Sequence, residues 1–220
     1  MNPPNAEAGA AIYTRQTLAG YDFVVLKVSN SLAWKCPSAL ILDFYNQHIT
    51  PNHLDVGVGT GYFLDKCRFP AGTTPNIHLL DLNPHSLKAT ADRLRRYEPT
   101  THRANVLEPL KLNVRFDSIA LNYLLHCLPG TMRSKGVVFD HLKPLLNPGG
   151  VIFGATILGA DGHAIQPNAL ARSLMRLYNS RGVFGNAHDT LADLETNLQA
   201  NFRDCSTQIV GCVAFFSGRV

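Results

Sequence analysis

No apolar run in this chain of 220 residues approaches the roughly 20 needed to cross a bilayer. The opening MNPPNAEAGAA has neither a basic n-region nor an apolar h-region, so no signal peptide and no membrane partner are expected, and the cytosol is the expected compartment. Cysteine is sparse: five residues, an odd number with no CxxC pair, exclude a disulfide framework and a zinc-binding pattern and read as reduced thiols. Charge is also thin, at 16% of residues against 45% hydrophobic, which is an ordinary globular composition rather than a disordered one. The net charge of +4 is scattered, and its densest group, Arg93, Arg95 and Arg96, reads as a solvated helix face, so a nucleic-acid partner is not expected. There are no internal repeats and no low-complexity linker.

What is present is alternation. Residues 10–33 carry apolar positions at threes and fours, and "PSALILDFYNQHI" (37–49) continues as a second helix with Pro37 suited to its first turn. Strand-length apolar runs follow at 52–57, 77–82, 116–123 and 151–158, separated by helical stretches at 61–67, 84–97 and 132–146. "NPGG" stands as a stop after the last of these. Apolar strands alternating with helices predict a parallel sheet covered on both faces. After a helix over 190–201, "STQIVGCVAFFSG" reads as a closing antiparallel hairpin about a glycine. The expectation is one doubly wound α/β domain.

The turn "HLDVGVGTGYFLD" (53–65) leaves the first strand. In an open parallel sheet, a ligand sits beyond the carboxyl ends of the strands, where the strand order reverses. The dinucleotide pattern G-x-G-x-x-G fails, because position 62 is Tyr and the third glycine comes early, at Gly61. The phosphate loop fails as well, since no Lys follows. What remains is Asp55 ahead of Gly57, Gly59 and Gly61. A carboxylate there repels pyrophosphate and suits an ammonium group, while glycine lets backbone approach a ligand closely. Asp81 closes the second strand and is placed to accept from both ribose hydroxyls. An adenosine joined through a sulfonium to an amino acid, S-adenosylmethionine, answers the arrangement. A purely structural role stays open at both acids: Asp55 as a helix cap, Asp81 as a turn residue before Asn83-Pro84.

From about residue 35 onward, the chain resembles the class I S-adenosylmethionine-dependent methyltransferases. "LDVGVGTG", "HLLDLNPHSL", "RANVLEPL", "FDSIALNYLLHCLPG" and "LKPLLNPGGVIFGAT" are similar to that family's motifs, in its order. The resemblance implies a single Rossmann-like domain over 35–220, with a mostly parallel seven-stranded sheet, a C-terminal antiparallel strand and a helical cap over 1–34. It implies that Asp55, Gly57, Gly59, Thr60 and Gly61 hold the methionine part of the cofactor, with Tyr21 on its carboxylate. Asp81 and Leu82 would hold ribose, and Asn105 and Val106 adenine. Asn122 and Leu124 would lie near the methyl group. Asn105 departs from the aspartate frequent at that position, and its amide oxygen can still accept from the adenine amino group.

Methyl transfer from a sulfonium is a direct displacement that needs alignment in a water-poor pocket, and a base only where the acceptor is protonated. His126 carries two readings, a general base and a packing or gating residue. Cys127 reads as filler, since no covalent step is required. Tyr13, Tyr123, Cys127, Thr156, Asn179, Phe184 and His188 are the candidates for the acceptor side, whereas Asp189 reads as structural. Such loops, aromatic and aliphatic with single polar groups, suit a small flat organic molecule. The pattern most resembles small fungal and bacterial natural-product methyltransferases, some of which act on hydroxyls of polyketide pyrones. An RNA or protein methyltransferase, and a cofactor-binding fold used for other chemistry, remain the rival readings.

Overall fold

A computed structural model describes residues 29–159 and 164–220. Tyr13, Tyr21 and most of the expected cap lie outside the described residues. Helix α1 (Ser38–His48) buries Ile41 and Tyr45, one turn apart, and Pro37 stands just before it at the N-cap. Strand β1 (Asn52–Val56) is buried along all but its first residue. Helix α2 (Tyr62–Lys66), β2 (Asn76–Asp81), α3 (Pro84–Arg93) and β3 (Thr100–Arg103) follow, then β4 (Phe116–Asn122), α4 (Met132–Lys135), α5 (Val137–Leu142) and β5 (Leu146–Ile157). Helix α6 (Ala169–Ser180), α7 (Leu191–Asn201) and the hairpin β6 (Arg203–Val210) and β7 (Val213–Arg219) complete the order.

The seven strands run β3-β2-β1-β4-β5-β7-β6. β1 to β5 pair in parallel, and β7 pairs antiparallel with both β5 and β6. Order reverses between β1 and β4, so the crevice opens where both strands end, at Val56 and Asn122. Both faces of the sheet are covered, as alternate residues show: Ile119, Leu121 and Ile152 pack with Phe139, Leu194 and Phe216. Ala120, Val151 and Phe153 pack on the other side with Tyr45, Leu64 and Leu79. Ala33 and Trp34 belong to the first of these cores, and Trp34 accepts a backbone hydrogen bond from Cys212. All five cysteines are free, and no helix among the described residues is long and apolar enough to cross a membrane.

Several expected boundaries move. The helix expected over 132–146 is broken into α4, α5 and a 3₁₀ turn at Lys143–Leu145. Pro144 cannot donate a backbone hydrogen bond, and a Cβ at Gly136 would displace the Asn197 side chain of α7. "NPGG" therefore lies within β5 instead of ending a helix. The helix expected over 84–97 becomes 3₁₀ at Arg95–Tyr97. β3 and α6 carried no expectation. β3 is a polar edge strand with little burial, and α6 buries only Ala171 and Met175.

Candidate active site

The turn after β1 is left-handed at all three glycines, with φ of 71°, 52° and 69° at Gly57, Gly59 and Gly61. Their neighbours differ. A Cβ on Gly57 would lie 2.7 Å from Leu124 Cδ1, and one on Gly61 2.6 Å from Thr90 Cγ2. At Gly59 nothing among the described residues stands within 4 Å. Close approach at Gly57 is thus to Leu124 of the chain itself, beside the hollow that Gly57 also lines. Helix α3 braces the turn from outside: Arg93 Nη1 donates to Thr60 O (2.7 Å) and Thr90 Oγ1 to Gly59 O (3.2 Å). Arg96 reaches Asp65 at 2.7 Å. Two of the three arginines therefore tie elements together rather than forming only a solvated face.

Two adjoining hollows open at the switch point. One is lined by Gly57, Gly59, Asp81, Leu82, Asn105, Val106, Leu124 and Cys127. The other is lined by Tyr45, Asp55, the glycine turn with Thr60, and Asn122, and Tyr123 stands in both. Asp81 Oδ1 accepts from Asn83 N–H at 2.8 Å, and its carboxyl also takes backbone hydrogen bonds from Val58, Gly59 and Leu82. Burial outweighs these donors and holds its pKa above the usual carboxylate value. Asn83 meanwhile caps α3, with Pro84 following, so Asp81 serves both the turn and the hollow. Asp55 makes no cap to α2, whose N-cap is Gly61; it accepts from Tyr45 Oη at 3.1 Å. Burial raises its pKa to about 7, Tyr45 pulls it down and Asp81 pushes it up.

Asn122 carries both amide atoms buried, with no partner among the described residues. An unpaired buried donor or acceptor costs about 1–3 kcal/mol, so such an amide belongs where a ligand completes its pairing. The open space at Gly59 and this amide both fit a bound S-adenosylmethionine. Asn105 is less free: its oxygen accepts from Leu107 N–H (3.1 Å) and its nitrogen donates to Glu108 (3.0 Å), leaving one lone pair for adenine.

His126 lies in the 3₁₀ turn Leu125–Cys127 and is 3% exposed. Its Nδ1 accepts from Ile157 N–H at 3.3 Å, with Thr156 Oγ1 at 3.5 Å. A ring nitrogen that accepts from a backbone N–H carries no proton, so the neutral ring bears its hydrogen on Nε2. Burial, and then the Lys135 charge, lowers its pKa to about 3. Phe184 and Tyr123 stand edge-on to the ring at 4.6 and 5.3 Å, and Phe184 also meets Tyr178 and Trp34. Tyr123 adopts φ of 58°, rare for a bulky residue, and its hydroxyl donates to Asn30 Oδ1 at 3.0 Å. Burial pushes the Cys127 thiol up to about 12, so it remains protonated.

The acceptor-side candidates separate. Tyr123 and Cys127 line the cleft, and Thr156 and Phe184 touch His126. Asn179 does not join them: its amide is tied to Asn186 and Ala187, beside a separate cavity of about 410 Å³. His188 is exposed and lines neither hollow. The loop carrying Phe184 and His188 is fixed from below, where Lys135 Nζ donates to Asp189 Oδ2 (2.5 Å) and Gly185 O (2.9 Å). Tyr45, Thr90 and Lys135 carry no signal in the sequence, and Arg93 reads there only as part of a solvated face. Each occupies an unremarkable helix position, and only tertiary packing brings its polar end to the cleft or its walls.

A methyltransferase domain family matches residues 54–152. The chain is 44% identical over 209 residues to demethylluteothin O-methyltransferase of Streptomyces thioluteus, across 94% of this chain and 89% of that protein. It is 35% identical over 213 residues to the physcion biosynthesis cluster O-methyltransferase of Aspergillus chevalieri, across 96% and 94%. The solved DhpI–SAH complex superposes with a TM-score of 0.68 over 96% of this chain and 95% of that one, at 15% identity, and shows the fold. The chain belongs to the class I S-adenosylmethionine-dependent methyltransferases, alongside small natural-product enzymes of fungi and bacteria.

Proposed function

We propose that the enzyme methylates a hydroxyl on a small, flat organic acceptor of secondary metabolism, an enolic polyketide pyrone being the preferred class. The bound cofactor supplies a methyl group on a sulfonium sulfur. The positive sulfur would make that methyl group open to in-line displacement by the acceptor oxygen, with a neutral thioether as the leaving group. On this reading Asp55, Asn122 and the turn with Thr60 hold the methionine part, Asp81 and Leu82 the ribose, and Asn105 and Val106 the adenine. Tyr123, Leu124, His126 and Phe184 wall the reacting end. The cap over 1–34, with Tyr21 and Tyr13, would close it and keep water out.

The observation that carries the proposal is the state of His126. Its one basic nitrogen is occupied by the Ile157 backbone and its pKa is pushed to about 3, so the site offers a dry aromatic wall and not a strong base. Such a site serves an acceptor already ionised near neutral pH, as an acidic enol is. The names of the two O-methyltransferase relatives support the oxygen acceptor, and thin, scattered charge argues against a polynucleotide. Work in the cytosol accords with this reading.

The test is a set of enolic pyrones and phenols incubated with the enzyme and S-adenosylmethionine, with RNA and peptide as alternatives. S-Adenosylhomocysteine and a methyl ether formed in equal amounts are expected with an acidic enol. Cofactor binding with no S-adenosylhomocysteine from any acceptor would favour the repurposed fold, and turnover on RNA or peptide alone would favour the other rival.

A further inference from the structure

Asp55 stands at the end of a buried hydrogen-bonded chain that runs back along β1. Tyr45 Oη, which donates to Asp55, is 2.9 Å from His53 Nε2, and His53 Nδ1 is 2.8 Å from Ser118 Oγ. Ser118 Oγ accepts from Thr50 N–H at 3.0 Å and lies 2.8 Å from Thr50 Oγ1, which reaches Asn52 O. Tyr45, His53 and Ser118 are all 0% exposed, so water does not stand in for any member.

A phenol has one hydrogen, and this orders the chain. When Tyr45 donates to Asp55, His53 must donate to Tyr45 through Nε2, leaving Nδ1 to accept from Ser118. That polarity suits an ionised Asp55, which can only accept and to which the phenol hydrogen bond is strongest. In the reverse polarity a protonated Asp55 donates to Tyr45, Tyr45 to His53 Nε2, and His53 Nδ1–H to Ser118. The two arrangements differ by one proton on Asp55 and by the tautomer of His53.

We propose that Tyr45 is a positioning residue for cofactor binding: seated on His53, it holds one oxygen of Asp55 and leaves the carboxylate ionised toward the methionine ammonium. The proposal rests on the reading that Asp55 faces that ammonium. The groups around Asp55 define the balance. Asp81 on β2 opposes its ionisation, while burial keeps the Cys67 thiol, at about 12, and His53, at about 3, neutral. Tyr45 from α1 is the neighbour that favours the charge. Cofactor binding then releases a proton from Asp55 and sets the chain in one polarity.

Calorimetric titration with S-adenosylhomocysteine from about pH 6 to about pH 9 tests this on the parent, Tyr45→Phe and Asp55→Asn, spanning the shifted range of a buried carboxyl. Tyr45→Phe, which removes only a hydroxyl, is expected to weaken binding about tenfold at neutral pH, the loss fading as alkali ionises Asp55 without help. Superimposable profiles, or a loss of equal size at every pH, would overturn the positioning role. Parent-like binding by Asp55→Asn would instead overturn the reading beneath it. Should Tyr45→Phe not fold, the Asp55 carboxyl ¹³C shift in the parent reads the same linkage: its midpoint must fall by about one pH unit or more when S-adenosylhomocysteine binds. An unmoved midpoint would overturn the reading that Asp55 faces the ammonium, and the proposal with it.

Discussion

At Gly59 an added methyl group meets nothing among the described residues within 4 Å, whereas at Gly57 it overlaps Leu124. Both positions have positive φ, so alanine costs about 1–2 kcal/mol of backbone strain at either one. The two substitutions should nevertheless part company. Gly59→Ala is expected to lower cofactor affinity by about tenfold or more with only that modest loss of stability, because its methyl enters the ligand space. Gly57→Ala should lose more in the thermal melt, since Leu124 must move as well. Equal melting temperatures for the two would show that the packing against Leu124 is soft. At His126, neutral and bonded to Ile157 N–H, the expected cost of His126→Gln is less than about tenfold in kcat, well short of the 10²–10⁴ that follows loss of a general base. The pH–rate profile should keep its shape in the variant. A vanished acidic limb together with a hundredfold loss would restore the general base.

The wall of the reacting end depends on elements that never touch it. Helix α4 carries Lys135, whose ammonium is completely buried against Asp189 in the loop before α7. Burial pulls the Lys135 pKa down while Asp189 holds it up, and the two charges persist only as a pair. The same loop docks through Gly185 N–H on His126 O at 2.8 Å, and it presents Phe184 to the His126 ring. Lys135→Met strands a buried carboxylate and is expected to cost about 3–5 kcal/mol of stability. Adding Asp189→Asn to it should recover much of that loss, which denaturant melts of the single and double variants would check. No recovery would mean that Lys135 matters for its packing and not for its charge. On the other side of the cleft, α3 holds the glycine turn through Thr90 to Gly59 O and Arg93 to Thr60 O.

For the molecule as a whole, buried titratable groups pull stability in opposite directions. His53 and His126, both lowered to about 3, lend stability that is present above the unfolded histidine value and lost as pH falls below it. His48, His78 and His102 are lowered too and act in the same sense. Asp55, raised to about 7, acts the other way: the folded state holds its proton more tightly, so stability declines as pH climbs from the unfolded carboxylate value to about 7. In the cofactor-free enzyme, Asp55→Asn should therefore be more stable than the parent at mildly alkaline pH, by roughly a few kcal/mol, and equal to it near pH 4. Melts across that range decide it, and a variant less stable than its parent in alkali would refute the assignment. The fold itself was legible because burial leaves a mark in one dimension. The apolar runs of β1, β2, β4 and β5, and Gly211 between β6 and β7, announce a covered parallel sheet with an antiparallel hairpin. That Asp55 and Asp81 share one crevice was legible as well, because both stand at the carboxyl ends of neighbouring parallel strands. β3 escaped notice because a polar edge strand has no apolar period, and α6 because it buries so little. The partners of the site escaped for a different reason. Nothing in residue spacing sets the Tyr45 hydroxyl on Asp55, Arg93 on the glycine turn, or a backbone N–H on His126 Nδ1. The sequence by itself determined the sheet, the glycine turn at its switch point and the family. Tertiary structure alone decided which nitrogen of His126 is occupied and which charges are buried together, because hydrogen bonds and desolvation depend on neighbours that the chain brings together only by folding.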